Sequence, residues 1–387
     1  MSELVVRAID SAAQRAYSEP PRPHLGASVM GQECMRAVWY EFRWAQLKEF
    51  SGRMLRLFQR GRDEEERLIN LLRMAGVTVV AVDPNTGKQF HHVGIGGHMG
   101  GSLDAVLKNV PTQPVGLEIL GEFKTHNYDS FQKLKSDGVR KSKPEHFAQM
   151  QMYAHWRKLP RALYLAVCKD DDELYAEFVD YDEAFAIDAI ERGISVIKSD
   201  TTPPKISNDP TFFKCKLCDF YQLCQQKAWP KKSCRTCVHA TPEIDDSNEA
   251  RWSCSFYKQP SIPLYFQRTG CDHHVFNPHM LQNIGQYHGG SEELNYAEYQ
   301  TKDGVTFRNG TKRDDPLVYS SEELPFGNLT PTEHERALVK AFDAKYVEPA
   351  VTTTKDDAIN QEIKRNREVE LAALKARVAG NKAKGRK

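Results

Sequence analysis

The residues in this chain best suited to chemistry are Asp104 and the tripeptide Glu122-Phe123-Lys124. On an extended strand alternate side chains share a face, so Glu122 and Lys124 project the same way. Hydrolysing a phosphodiester requires a cation to neutralise the phosphate and a deprotonated water to attack it. Asp104 and Glu122 offer hard oxygen ligands for Mg²⁺ or Mn²⁺, with the Phe123 carbonyl as a third. Lys124 is then placed to orient the water or to stabilise developing negative charge. Glu65 is a further catalytic and metal-binding candidate. It falls on the helical face of Phe58, Gly61, Leu68 and Leu72, where a carboxylate is costly unless paired or metal-bound. Glu64 and Glu66 lie off that stripe and read as exposed charges. Gln149 and Tyr153 are four apart on a helical pattern, with His146 three residues before Gln149. Such a row shares one face and can donate hydrogen bonds to phosphate or base edges.

The nine cysteines carry a second kind of chemistry. Cys34 stands alone near the start, and Cys215-x2-Cys218-x5-Cys224 follows the acidic set. Nothing resembles an export signal, so the expected compartment is the cytoplasm, where such spacings point to metal rather than disulfides. Four thiolates suit zinc or an iron–sulfur cluster, and the spacing does not choose between them. Either would join positions about 180 residues apart and close a loop that is otherwise entropically costly. Cys234-x2-Cys237, Cys254 and Cys271 form a second four-ligand set, with His239, His273, His274 and His279 as alternates. The readings here are a structural Zn²⁺ that folds an aliphatic-poor module, or separate reduced core cysteines. Cys168 ends an apolar run and reads as an inert buried thiol.

The elements that must position these groups read as one α/β domain over residues 1–229. A helix is expected over 53–75, closed by Gly76, then a strand over 77–82. Turn glycines at 94–101 lead into an Asp104-bearing strand over 102–107, and a second strand covers 115–125. Ser142-Lys-Pro-Glu145 reads as a capping box opening a helix through Trp156. Residues 162–167 and 173–179 pattern as a hairpin around Asp170–Asp172, and residues 201–204 end the helix that follows. Residues 230–282 form the cysteine- and histidine-rich module. Residues 283–387 show a weak hairpin over 298–311 and a charged helical or disordered tail from Lys355.

Formal net charge is +1, so nucleic-acid binding must come from local patches. The tail from Lys364 carries nine basic residues against Glu368 and Glu370, which fits a salt-sensitive DNA contact or a solvated solubility element. No run approaches a membrane span. The 94–101 glycines lack a following Gly-Lys-Ser/Thr, so they are not a nucleotide loop, and no helicase motif is present.

Taken together, these motifs resemble the PD-(D/E)XK nuclease superfamily in its RecB-like branch, including CRISPR-associated exonucleases that carry an iron–sulfur cluster. Leu57-Phe-Gln-Arg-Gly61-Arg-Asp-Glu-Glu65 is similar to the family's first helix, with glutamate at 65 where many members have histidine. Gly101-Ser-Leu-Asp104, Gly121-Glu-Phe-Lys124 and Gln149-x-x-x-Tyr153 are similar to its later motifs, and Cys34, Cys215, Cys218 and Cys224 to its cluster ligands. The resemblance covers residues 30–228. It implies a restriction-endonuclease-like core, a mixed central sheet flanked by helices, and an exonuclease acting on DNA single strands or duplex ends. Glu65, Asp104 and Glu122 would hold Mg²⁺ or Mn²⁺, and a structural [4Fe–4S] cluster is implied. Recombination, repair or processing in a bacterium or its phage is implied too, with a helicase or recombination protein as partner. Two rivals stand beside this reading. One is a catalytically silent DNA-binding scaffold on the same fold. The other is an iron–sulfur glycosylase, whose C-x6-C-x2-C-x5-C would need a cysteine at Asn208.

Overall fold

The computed structural model describes residues 2–326. Residues 1–325 group into one compact unit, so the expected boundaries at 229/230 and 282/283 both fall inside it. The tail expected from Lys355, with its basic residues, lies outside the described residues.

The chain starts with α1 (Ser2–Tyr17), the two-residue strand β1 (Leu25–Gly26) and α2 (Met35–Phe42). Next comes α3 (Gly52–Met74), capped by Ser51, whose hydroxyl accepts from the Met54 N–H at 3.3 Å. Strands β2 (Thr78–Val80), β3 (His91–Gly94), β4 (Met99–Ser102), β5 (Ala105–Lys108) and β6 (Ile119–His126) follow. The expected strand over 102–107 is interrupted at Leu103-Asp104. β4 pairs with β3 and β1 in one small sheet, while β5 belongs to another. Helices α4 (Tyr128–Ser142) and α5 (Pro144–Arg157), the hairpin β7 (Arg161–Cys168) and β8 (Leu174–Asp180), and α6 (Glu183–Lys198) complete the region around the acidic set.

The central sheet runs β2-β5-β6-β7-β8, and it is mixed: β6 and β7 are parallel, the other pairs antiparallel. Both faces are covered, which explains why β7 is apolar at nearly every position. Leu163, Leu165 and Val167 pack with Leu68 and Ile69 of α3. Ala162, Tyr164 and Ala166 join Phe147, Met150 and Tyr153 of α5 in the larger core. The period-2 alternation of the strands thus sends one set of side chains to each layer.

The capping box at Ser142 does not form. Lys143 occupies the N-cap of α5 without a side-chain cap, and Pro144 takes the first helical position. The Ser142 hydroxyl instead donates back to the Gly138 carbonyl at 2.6 Å, closing α4.

Two short helices, α7 (Phe213–Lys216) and α8 (Tyr221–Gln225), carry the C-x2-C-x5-C cysteines. The module beyond them has a β9 (Ala240–Pro242) and β10 (Trp252–Cys254) ladder and α9 (Leu264–Thr269). It is docked by Arg235, which is 1% exposed yet, among the described residues, has no carboxylate as a hydrogen-bond partner. The guanidinium donates to the carbonyls of Phe42 (3.1 Å) and Pro23 (3.0 Å) and to Gln267 Oε1, and it lies 3.6 Å from the Trp44 ring centroid. Residues 286–319 hold more than the expected weak hairpin. β11 (Gln286–Ser291), β12 (Tyr296–Gln300), β13 (Thr306–Gly310) and β14 (Val318–Tyr319) form a four-stranded sheet over buried Tyr299 and Phe307. Among the described residues no helix is long and apolar enough to cross a membrane.

Candidate active site

Asp104 and Glu122 meet because β5 and β6 are antiparallel with Ala105 opposite Gly121. The pairing sets the residue before β5 beside the residue after Gly121. Asp104 Oδ2 accepts the Phe123 N–H at 2.8 Å, which fixes its carboxylate against the β6 backbone. Lys124 Nζ pairs with Glu122, lies 3.7 Å from Asp104 Oδ2 and donates to the Phe123 carbonyl at 3.2 Å. Glu122 is fully buried, whereas the Lys124 side chain keeps 23% of its exposure. Glu65, on α3, is near enough to feel the charges of Asp104 and Lys124.

Burial dominates the electrostatics. It pushes the Glu65 carboxyl up to about 7, reinforced by Asp104 and opposed by Lys124. It pushes Glu122 up to about 8, with Lys124 opposing and Asp104 and Glu65 adding. For Lys124 burial acts downward, but the Asp104 and Glu122 carboxylates outweigh it and hold the ammonium charged. Neither Glu122 oxygen has a hydrogen bond of good geometry, despite the ion pair with Lys124. Three acids against one ammonium, with orphaned buried oxygens, make a donor set suited to a hard divalent cation. Among the described residues, no three of His, Cys, Asp and Glu are already drawn up as a ready metal-binding group.

Helix α5 supplies the next layer. Gln149 is 8% and Tyr153 4% exposed, and Tyr153 lies within electrostatic reach of Glu122 and Asp104. Burial first, and those acids second, raise the Tyr153 phenol, so it stays a hydrogen-bond donor. Gly101 is required here: a Cβ would stand 2.4 Å from the Tyr153 hydroxyl. His146 sits on the same helix, but its Nδ1 is engaged by the Tyr164 hydroxyl at 2.8 Å. Glu64 is half-buried and ion-paired with Arg67 at 2.7 Å rather than free at the surface.

Sequence reasoning missed a polar chain beneath the lysine. The Tyr164 hydroxyl lies 2.8 Å from both His146 Nδ1 and His126 Nε2, His126 Nδ1 is 3.3 Å from Ser130 Oγ, and Lys143 Nζ donates to Ser130 at 2.5 Å. Burial, with Lys143 and Lys124 adding, lowers His126 to about 4; burial, with Lys124 adding, lowers His146 to about 3. With both rings neutral, every contact is satisfied by a chain that runs in one direction, for example Lys143 to Ser130, Ser130 to His126, His126 to Tyr164 and Tyr164 to His146. His126 was findable, because it continues the alternate spacing of Glu122 and Lys124. Tyr164 was not, because only the β6/β7 register places it beside Glu122.

The cysteines gather into two places. Cys34, Cys215, Cys218 and Cys224 line one cavity of about 600 Å³, with Lys48, Lys205 and Lys214 on its walls. Burial raises the Cys218 and Cys224 thiols, and Cys34 adds to both, so three of these sulfurs interact. That donor set fits a thiolate-bound metal group. Gly31, two residues before Glu33, packs so tightly on α5 that a Cβ would lie 2.4 Å from the Glu145 Cα. The Cys34 segment therefore buttresses the helix that carries Gln149 and Tyr153. Cys234, Cys237, Cys254 and Cys271 line a second, much smaller cavity. Cys168 is buried at the end of β7.

No protein-family model and no curated protein matches the chain. Among solved structures it is similar to a protein called SSO0001, at 16% identity over 57% of this chain and 96% of that one, with a TM-score of 0.36. It is also similar to the alkaline exonuclease LHK-Exo from Laribacter hongkongensis, at 16% identity over 49% and 90% (TM-score 0.31). A phage-related exonuclease from Haemophilus somnus 129PT is similar at 14% identity over 42% and 76% (TM-score 0.29). Likeness at this level assigns the chain to no family.

Proposed function

We propose that this protein is a divalent-metal-dependent deoxyribonuclease of the PD-(D/E)XK type, an exonuclease acting on single strands or duplex ends. The observation that carries the reading is the buried cluster in which Asp104, Glu122 and Glu65 surround one ammonium, Lys124, at the junction of β5, β6 and α3. Mg²⁺ or Mn²⁺ would neutralise the scissile phosphate and make a bound water acidic. Glu65, Asp104 and Glu122 would hold that ion, with the Phe123 carbonyl beside them. Lys124, partly open to solvent, would orient the attacking water and steady negative charge on the phosphate. Gln149 and Tyr153 would set the strand's register from α5, and the Tyr164 hydroxyl between two neutral imidazoles keeps the floor under Lys124 polar. In this reading Cys34, Cys215, Cys218 and Cys224 hold a structural [4Fe–4S] cluster that braces α5. Duplex unwinding would fall to a partner helicase or recombination protein.

The test is metal dependence. Metal-stripped protein is incubated with end-labelled single-stranded and blunt duplex DNA, with and without Mg²⁺ or Mn²⁺. Nucleotide release that needs the added cation supports the proposal. Equal release in excess chelator overturns it, and so does DNA bound but never cut under any cation, which would favour the silent scaffold.

A further inference from the structure

The second cysteine group has a geometry of its own. Cys234 and Cys237 flank a single turn of 3₁₀ helix, Cys254 ends β10, and Cys271 follows α9. These four, far apart in sequence, line one cavity of about 10 Å³. That is room for a single atom-sized guest, not for a cluster or a small molecule. The thiols act on one another: Cys234 feels Cys237, Cys271 and Cys254, and Cys237 feels Cys271 and Cys254. Burial raises the Cys234 and Cys237 thiols to about 12 and raises Cys271 as well, only partly opposed by the backbone of His239 and Val275 at Cys237 and of His273 at Cys271. Lys232 supplies a nearby positive charge to Cys234 and Cys271.

His239, His273 and His274 line the same cavity, but each has at least one ring nitrogen bonded to another partner. His274 bonds Ser321 Oγ through Nδ1 (2.8 Å) and the Ser233 carbonyl through Nε2 (2.9 Å). His239 bonds Ser255 through Nδ1 (3.2 Å) and Asn295 through Nε2 (2.6 Å). His273 holds Thr311 at 3.0 Å and stacks on Phe256. His279 lines a different cavity. Four soft sulfur donors remain around a one-atom space.

We infer that Cys234, Cys237, Cys254 and Cys271 bind one tetrahedral Zn²⁺, a structural site separate from the Cys34 set. The four thiols already ring the cavity but are not drawn up as a ready metal-binding group, so closing them on the ion asks for side-chain rotation. Binding exchanges thiol protons for the cation, with no redox step. The site's task follows from Arg235, which lies between Cys234 and Cys237 and reaches the Phe42 and Pro23 carbonyls. Fixing that turn fixes the wedge joining the module to the α2 region.

The experiment is metal analysis of the full chain, followed by replacement with Co²⁺ and its absorption spectrum. One zinc per chain is expected, with thiolate-to-cobalt charge transfer and tetrahedral ligand-field bands after replacement. Cys271→Ser should lose that equivalent, while Cys218→Ser should keep it. Should Cys271→Ser fail to fold, the cobalt spectrum of the wild type and the zinc content of Cys218→Ser still decide. Absence of a stoichiometric zinc or cobalt, cobalt bands without thiolate character, or loss of the zinc in Cys218→Ser would each overturn the assignment.

Discussion

Replacing Gly101 with alanine probes the contact that ties the Asp104 segment to α5. The added Cβ would sit 2.4 Å from the Tyr153 hydroxyl and 3.2 Å from two ring carbons, where ordinary contact begins at 3.4 Å. The overlap with oxygen is thus about 1 Å, and Tyr153 cannot swing away, being 4% exposed and packed near Trp156. Overpacking of this kind costs about 1–3 kcal/mol. For a unit of 325 residues that lowers Tm by roughly 1.5 °C per kcal/mol. Tyr153→Phe removes the clashing oxygen and leaves only the 3.2 Å contacts, which need a shift of a few tenths of an ångström. Gly101→Ala/Tyr153→Phe should therefore be more stable than the sum of the single changes by about 1–2 kcal/mol. Urea unfolding of the four proteins measures this coupling, and DNA cleavage measured in parallel reports whether the tyrosine hydroxyl itself is needed. Strictly additive losses, or a Gly101→Ala protein within about 0.5 kcal/mol of wild type, would refute the packing argument.

Three further outcomes follow. Because burial raises Glu65 to about 7 and Glu122 to about 8, a cation must displace protons there. Mg²⁺ affinity should weaken as pH falls from about 8 to 6, so cleavage at limiting metal should drop with it; a flat profile would count against the assignment. His98 is fully buried, bonds the Glu243 (3.1 Å) and Arg251 (3.0 Å) carbonyls through Nε2, and is lowered to about 4 chiefly by burial. The unfolded chain takes up its proton below about 6.5 while the fold refuses it, so stability should fall as pH drops from 6.5 towards 4. His98→Gln should flatten that stretch of the urea-midpoint curve, and an unchanged slope would contradict the argument. Tyr164→Phe strands one buried and one half-buried imidazole nitrogen and should cost about 1–3 kcal/mol in urea unfolding; a neutral effect would mean the hydroxyl bridges nothing.

Much of the central sheet was legible because its strands are apolar-rich runs bounded by turn residues and its hairpin turn is acidic. Helix α4 was not anticipated. Its cap is a lone Asn127 whose side chain accepts the Ser130 N–H, and Gly138 breaks its backbone at φ 70°. Ser142-x-x-Glu145 satisfied a local rule that tertiary context overrode, since the serine closes one helix and Pro144 opens the next. The 286–319 sheet went largely unseen because its first strand is glycine-broken, with a register shift between Tyr287 and Gly289. At the site, Asp104, Glu122 and Lys124 were readable from residue type and spacing, and the structure does bring them together with Glu65. The Tyr164 chain depends on the parallel β6/β7 register, a non-local pairing that no spacing within one segment encodes.

In the proposed function, Lys124 and its three acids form a nuclease active site. Nucleotide release from end-labelled single-stranded DNA, in Mg²⁺ or Mn²⁺, should be compared between the wild type and Lys124→Ala. Cation-dependent release by the wild type and a loss on the order of 100-fold or more in the variant are expected, with the fold intact by circular dichroism. Equal release by the two proteins would place the chemistry elsewhere in the molecule.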